Sequence, residues 1–457
     1  MYLPKAPKNF RSLLTAMCAD MSNFALGTCI GWSSPIIPKL RNQTYDSPLS
    51  QPVTTTEEGW ISSMVTIGAV VTSLLAGPMG AKIGKKWVLL LGATLIELSY
   101  VFLLLASEVW MFYAARLLQG VAGGLLIATL PMYVGEIATN DNRGSLGSLM
   151  TLFMVGGILY AYCIGPFVSY MAFHWCCLAV PLIFIVSFPF MPETPYYLAK
   201  TGRKVELLKS LNFLRGNTDE KAVEDEMNQI QSSVDEDASR KASIFDIFHD
   251  RGNVKGLVIC CGLLMFQQFS GTTAVTFNSQ TIFESAKSTL DPAVATIILA
   301  LTQLVSNFLT PFVIERTGRK LILLASALGM SLSLFALGAF FYVQAFGDVT
   351  PLMWIPVPAL ICFNISYAFG FGPVPWAILG EVFPSNVKPM AASIASTFSW
   401  TSSFLSTRWF PDLNALGPYY AFFLFGIMMA IAIFFILFYV IETRGLSLQK
   451  IQEKLHS

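Results

Sequence analysis

Two adjacent primary amides, Gln267 and Gln268, stand inside an apolar run that begins near Val254 and extends past Phe277, and Phe269-Ser270-Gly271 follows at once. An amide in hydrocarbon is costly unless it meets polar partners or faces a protein-lined, watery cavity. Each offers one carbonyl acceptor and two N–H donors, a set that suits the mixed donor and acceptor hydroxyls of a polyol. The Ser-Gly pair lets a helix bend or unwind where backbone groups could also reach a ligand. The same amides have a second use, tying two helices together. Other chemistries lack their residues. His174, His249 and His456 are scattered, no group has metal-ligand spacing and no nucleophile–base set stands out, so no enzyme, metal or cofactor is expected.

Those amides need helices in a membrane to position them. Hydrophobic residues make up 54% of the 457 and charged residues only 12%, about half the charge of a soluble domain. A span needs roughly 20 apolar residues. Twelve candidates lie near 11–33, 60–80, 87–106, 109–134, 146–168, 174–191, 253–285, 292–314, 320–345, 351–380, 388–410 and 418–440. The expected fold is an all-α polytopic membrane protein. With both termini in the cytoplasm, only Lys39, Arg41, Lys287 and Arg408 of the 29 Lys and Arg fall outside, and Arg116 falls within a span. Asn42-Gln43-Thr44 is a glycosylation sequon in an outer loop, which agrees. Asn364-Ile365-Ser366 spells another, but inside a span. All eight cysteines lie in spans, so no structural disulfide is expected. The basic stretch before Arg11 is too short for a cleavable leader, and the first span itself should direct insertion.

A polar segment from Pro192 to Lys255 splits the spans six and six. The expected organisation is a half at 1–191, a cytoplasmic linker with short amphipathic helices at 192–252, a second half at 253–440 and a tail at 441–457. The halves echo one another. Gly84-Lys85-Lys86 matches Gly318-Arg319-Lys320; Glu136 leads Arg143 as Glu381 leads Lys388; Glu193-Thr194 matches Glu442-Thr443. Three pairs in one order at nearly constant offset imply duplication, the repeat geometry of two parallel six-helix halves. The repeated charges sit at cytoplasmic helix ends. Glu136, Arg143, Glu193, Arg316, Arg319, Glu381 and Lys388 are therefore expected as a cytoplasmic gate, closing the mouth when paired and opening it when separated. Basic loops that merely fix topology are the competing reading.

Taken together, the motifs resemble the sugar porter family of the major facilitator superfamily. They are Arg116 with Gly120, Pro131-Met132-Tyr133-Val134-Gly135-Glu136 leading to Arg143-Gly144, Pro192-Glu193-Thr194-Pro195, Gln267-Gln268-Phe269-Ser270-Gly271, Glu315-Arg316-Thr317-Gly318-Arg319-Lys320, Gly372-Pro373-Val374-Pro375-Trp376 and Glu442-Thr443-Arg444-Gly445. Gly31-Trp32-Ser33-Ser34-Pro35 and Pro195-Tyr196-Tyr197-Leu198 are similar to the insect facilitated trehalose transporters. The resemblance implies that Gln267 and Gln268 hydrogen-bond sugar hydroxyls and that Trp376 and Trp400 supply flat apolar faces. Thr151, Thr273, Asn278 and Ser403 complete the implied substrate set. In an unbroken helix Asn278 would share a face with Gln267. Thr151 and Thr273 stand where many hexose carriers have glutamine and asparagine, leaving room for a larger substrate. Ala81-Lys82-Ile83-Gly84-Lys85 replaces a loop with an acidic or amide residue and two arginines, which weakens the expected gate of the first half.

Proton-coupled members carry an acid in the first span where this chain has a residue near Thr28, which argues for facilitated diffusion. Asp20 and Glu97 lie within spans and keep proton coupling open. Glu97 and Arg116 flank one outer hairpin at similar depth and are expected to pair. The implied activity is facilitative sugar transport by alternating access in the plasma membrane, with a proton symporter and a non-transporting sensor as alternatives. The expected partners are a small sugar and the lipid bilayer, with no nucleic acid; the sugar itself and the oligomeric state stay open.

Overall fold

The protein is described by a computed structural model covering residues 10–42, 47–139, 142–216, 220–239, 244–384, 387–444, 446 and 448–456. Its apolar runs are helices, because a chain crossing lipid must satisfy its backbone N–H and C=O groups within each segment. The first half holds α1 (Phe10–Gly31), α2 (Ser33–Arg41), α3 (Thr55–Ile83), α4 (Lys85–Leu104), α5 (Val109–Ile137), α6 (Arg143–Ile164) and α7 (Tyr170–Ser187). The polar insert carries α8 (Pro195–Lys200), α9 (Lys204–Arg215), α10 (Glu220–Ser239) and α11 (Ile244–His249). In the second half come α12 (Arg251–Phe269), α13 (Thr272–Ala286), α14 (Pro292–Thr317), α15 (Arg319–Phe346), α16 (Pro356–Phe369), α17 (Val374–Val382), α18 (Lys388–Leu416) and α19 (Pro418–Tyr439), with α20 (Leu448–His456) last.

Eleven helical stretches are long and apolar enough to cross a bilayer among the described residues. The remaining expected span, 388–410, is α18. At 29 residues it is long enough, but a run of Ser and Thr between Ser393 and Thr407 lowers its hydropathy. That polar stripe is the clue to its role below.

Buried apolar side chains fall into two large clusters. One draws on residues 16–214 and the other on 247–455, the latter including Ile451 and Leu455 of α20. In the insert, Leu207 and Leu211 of α9 pack with Val223 and Ile230 of α10, so the amphipathic spacing read there buries its apolar faces together. The halves touch along α2 with α13, α3 with α18 and α6 with α14. The duplication reaches the backbone. Gly84 (φ 96°, ψ 149°) and Gly318 (φ 91°, ψ 146°) adopt the same turn between paired helices, a conformation that favours glycine.

Helix breaks sit where the sequence carries Gly, Pro and Ser. Gly271, at φ 79°, separates α12 from α13, and the Phe425 ring lies where a side chain would project. Gly370-Phe371-Gly372-Pro373 separates α16 from α17. A third break lies inside α13, where Asn278 has φ −121° and ψ 20°.

Candidate functional site

Two of the second half's three breaks meet at Gln267. Its Nε2 donates to the carbonyl oxygens of Phe371 (2.5 Å) and Gly372 (2.9 Å), and its side chain is buried. Those carbonyls lie in the broken α16–α17 turn, where helical donors are missing. Ser326 supports the same turn, donating to Ser366 O (2.7 Å) and accepting from Phe371 N (3.1 Å). Both N–H groups of Gln267 are thus spent between helices, the second of the two uses open to the amides.

Gln268 behaves differently. It is half-buried, and its Nε2 donates to Ser399 Oγ (3.1 Å) while its Oε1 accepts from Thr273 Oγ1 (2.9 Å). Ser403 Oγ donates on to Thr273 Oγ1 (3.3 Å). Ser399, Gln268, Thr273 and Ser403 therefore form one chain of exchangeable donors and acceptors across α12, α13 and α18. Trp400, next to Ser399, is half-buried, and Trp376 on α17 is exposed. Thr151 is exposed on α6 of the other half.

Asn278 does not share a face with Gln267 on an unbroken helix, because the helix breaks at Gly271 and again at Asn278 itself. Its Nδ2 donates to Ala274 O (2.9 Å), and its buried Oδ1 has no partner. Ser399 and Ser326 were missed in the sequence, although the Ser/Thr stripe of α18 was the available signal for the first.

At the face carrying the insert, the repeated charges form the same joint twice. Lys85 pairs with Glu136, and Arg319 with Glu381 at 2.9 Å. Glu193 accepts from Lys86 N (3.2 Å), and Glu442 from Arg319 N (2.9 Å) and Lys320 N (3.1 Å), each at a helix N-terminus. Lys86 Nζ reaches Pro189 O (2.6 Å) and Met191 O (2.7 Å), and Lys320 Nζ reaches Leu437 O (2.9 Å). Burial pushes the Glu193 carboxyl above the ordinary range, outweighing the N–H groups of Thr194 and Lys86 and the charges of Lys85 and Lys86. For Glu442 burial also pushes upward, but the N–H groups of Arg444, Arg319, Lys320 and Thr443 prevail and hold it below that range.

These joints lie within a half, not across the mouth. In the second half the expected seven-residue partner is not used: Lys388 Nζ donates to Gly380 O (2.6 Å), while Glu381 takes Arg319 and the Thr443 hydroxyl (2.6 Å). The Gly84 and Gly318 turns explain this, since they set the following cation beside the helix end that bears the glutamate. The side chains of Arg143 and Arg316 lie outside the described residues.

At the opposite face the halves are bonded to each other. Arg41 donates to Thr281 Oγ1 (3.0 Å) and pairs with Glu58 at 3.7 Å. Arg408 of α18 lies over the Trp60 ring of α3 at 5.0 Å. Asn42 is exposed at this face, with the rest of its sequon outside the described residues. Deeper in, Arg116 is fully buried and donates to Cys29 O (2.7 Å), Ser33 Oγ (2.8 Å), Gln119 Oε1 (2.6 Å) and Ile61 O (3.3 Å). It does not pair with Glu97, whose Oε2 is unpartnered. Arg116 turns toward α1, α2 and α3 instead.

A family model described as sugar (and other) transporter matches residues 12–455. The chain belongs to that family. It is 34% identical over 445 residues to the facilitated trehalose transporter Tret1 of Apis mellifera ligustica, covering 97% of this chain and 88% of the relative. Against Tret1 of Polypedilum vanderplanki it is 34% identical over 451 residues, covering 98% and 88%. Among solved structures, the inward open xylose transporter XylE of E. coli superimposes with a TM-score of 0.80 at 22% identity, covering 97% of this chain and 99% of that one. The fold is that of the major facilitators. Like its family, this sugar-transporter chain is a carrier and not an enzyme.

Proposed function

We propose that this protein is a facilitative carrier for a sugar such as trehalose or glucose, working by alternating access in the plasma membrane. The insert face and both termini are cytoplasmic in this reading, which the distribution of basic residues supports. The bonds between halves at the opposite face then correspond to a closed outer mouth. The observation that carries the reading is the Ser399–Gln268–Thr273–Ser403 chain beside Trp400, set where α12, α13 and α18 meet. Its groups can each donate or accept, as a ring of sugar hydroxyls demands, and indole faces suit the apolar side of a pyranose.

Uniport is favoured by the partners of Arg116. Backbone carbonyls, a serine and an amide hold it, so among the described residues no titrating carboxylate is joined to that buried cation. One observation favours proton coupling instead: Asp20 of α1 is fully buried and neither carboxylate oxygen has a partner. Uptake of labelled mono- and disaccharides into proteoliposomes, with and without a pH gradient, separates the two. Saturable equilibration that ignores the gradient supports uniport; accumulation that follows it assigns symport, with Asp20 as its first candidate.

A further inference from the structure

The two parts of the polar insert carry opposite charge. Residues 195–215 hold five Lys and Arg and one acid, whereas α10 holds seven acids and one Lys. Their outward faces differ in a second way. Among the described residues α10 exposes no large apolar side chain, but α9 exposes Val205 (69%) and Leu208 (43%) between exposed Lys204 and Lys209. Val205 and Leu208 are three apart and so share a side of the helix, away from Leu207 and Leu211, which pack with α10. A helix that buries one apolar face in its own protein and shows another beside lysines has a further surface to meet.

The patch runs on to the ends of the membrane spans. Lys86 Nζ, held by Pro189 O (2.6 Å) and Met191 O (2.7 Å), ties the start of α4 to the chain leaving α7. Trp87 (59%) and Phe190 (79%) are exposed there, rings that suit the level of the headgroups. Tyr197 of α8 donates to Lys82 O (3.2 Å), which sets the exposed Lys82 beside α8. Arg203 N donates to Leu198 O (3.0 Å) and closes the α8–α9 turn, where Lys200 and Arg203 are exposed. The basic patch therefore begins where the apolar belt stops. Nor is α9 loosely hung. Ser210 Oγ donates to Glu193 O (2.8 Å), Arg215 Nη1 donates to Ile137 O (3.1 Å), and Leu214 joins the core of the first half. A surface that grips α9 grips that half.

We propose that the exposed face of α8–α9 docks on anionic lipid headgroups of the cytoplasmic leaflet. Val205 and Leu208 enter the interface, and Lys82, Lys200, Arg203, Lys204 and Lys209 meet the negative headgroups. The choice of leaflet rests on the cytoplasmic orientation of the insert; the docking itself does not. Two aliphatic side chains bury too little surface to hold a neutral membrane by themselves, so the lysines make the contact depend on lipid charge. The acids of α10 are repelled by the same leaflet. Charge therefore selects which side of the insert faces lipid, and the first half alone carries this anchor.

The test uses the full-length purified chain in nanodiscs of phosphatidylcholine, with or without phosphatidylserine, after the exposed Cys163 and Cys362 are replaced by serine. An environment-sensitive fluorophore is attached at Val205→Cys, or at Ser232→Cys on the polar face of α10. Lipids spin-labelled near the headgroup serve as quencher. With phosphatidylserine present, the label at position 205 should shift to the blue and be quenched, and high salt should reverse both changes. The label at position 232 should respond to neither. Replacing Lys200, Lys204 and Lys209 singly by glutamine should lower the ratio of docked to undocked label about fivefold each. Replacing all three by arginine should leave it unchanged. Equal quenching at position 205 with and without phosphatidylserine, no quenching in either, or equal quenching at position 232 overturns the docking face. Loss of quenching in the arginine variant overturns the charge match. Labelling of Val205→Cys by a membrane-impermeant thiol reagent outside intact cells overturns the cytoplasmic orientation instead, since the nanodisc has the same lipids on both sides.

Discussion

At the residue scale, neighbouring amides of identical chemistry have separate duties. Gln267 holds the α16–α17 turn and Gln268 belongs to the hydroxyl chain. Gln268→Ala should weaken apparent sugar affinity about two- to tenfold, the range of one lost hydrogen bond, without lowering surface abundance. Gln267→Ala strands the carbonyls of Phe371 and Gly372 and should cost about 1–3 kcal/mol of stability, read as lower melting temperature and expression. Concentration-dependent uptake of purified variants beside thermal melting checks both; equal behaviour of the pair contradicts the division. The sequence made the polar pair visible because amides are rare in apolar runs. It did not show which one faces the α16–α17 turn and which one α18, since adjacent residues on a helix differ by about 100° and only tertiary packing fixes the direction. For the same reason the expected pairing of Glu97 with Arg116 could not be read from their spacing about the hairpin.

Among the elements, breaks and caps matter most. Gly271 needs a positive φ and has the Phe425 ring against it, so Gly271→Ala should reduce folded yield and melting temperature, with flux per surviving molecule also reduced; a normally folding variant would show the break to be dispensable. The two glutamate caps differ in their response to acid. Glu442 is held below its ordinary value in the folded chain, so its contribution is present at neutral pH and is lost as pH falls below about 4.3 and through the folded value. Glu193 is raised, so the folded state takes up its proton first, and its contribution declines as pH rises from about 4.3 through its higher folded value. Melting temperature followed from pH 7 to 3 should therefore fall less steeply in Glu442→Gln than in the unmodified chain, and no less steeply in Glu193→Gln. A matched response of the two variants contradicts the assignment. Helix positions were readable from apolar run length, and the break at Ser270-Gly271 from its residue types. The break at Asn278 was not, because neither Gly nor Pro marks it in the sequence.

For the whole molecule, the duplicated charges were legible as a repeat and misread in their pairing. A repeat implies equivalent places in two halves, but does not say whether each set bonds within its half or across the mouth. The structure shows the former for Lys85–Glu136 and Arg319–Glu381. Glu136→Ala and Glu381→Ala should then destabilise the chain additively, within about 0.5 kcal/mol, as separated sites do. A larger coupling in the double variant would restore a shared role across the cytoplasmic mouth.

Alternating exposure of one sugar site is the claim on which the rest depends, and counterflow tests it most directly. Proteoliposomes holding the purified chain are loaded with unlabelled sugar and diluted into a trace of labelled sugar, with no pH gradient. The expected result is a transient overshoot of labelled sugar inside, diminished by Gln268→Ala at low sugar concentration and untouched by a protonophore. Labelled sugar that only equilibrates, or never enters, contradicts a carrier that turns its site from one side to the other.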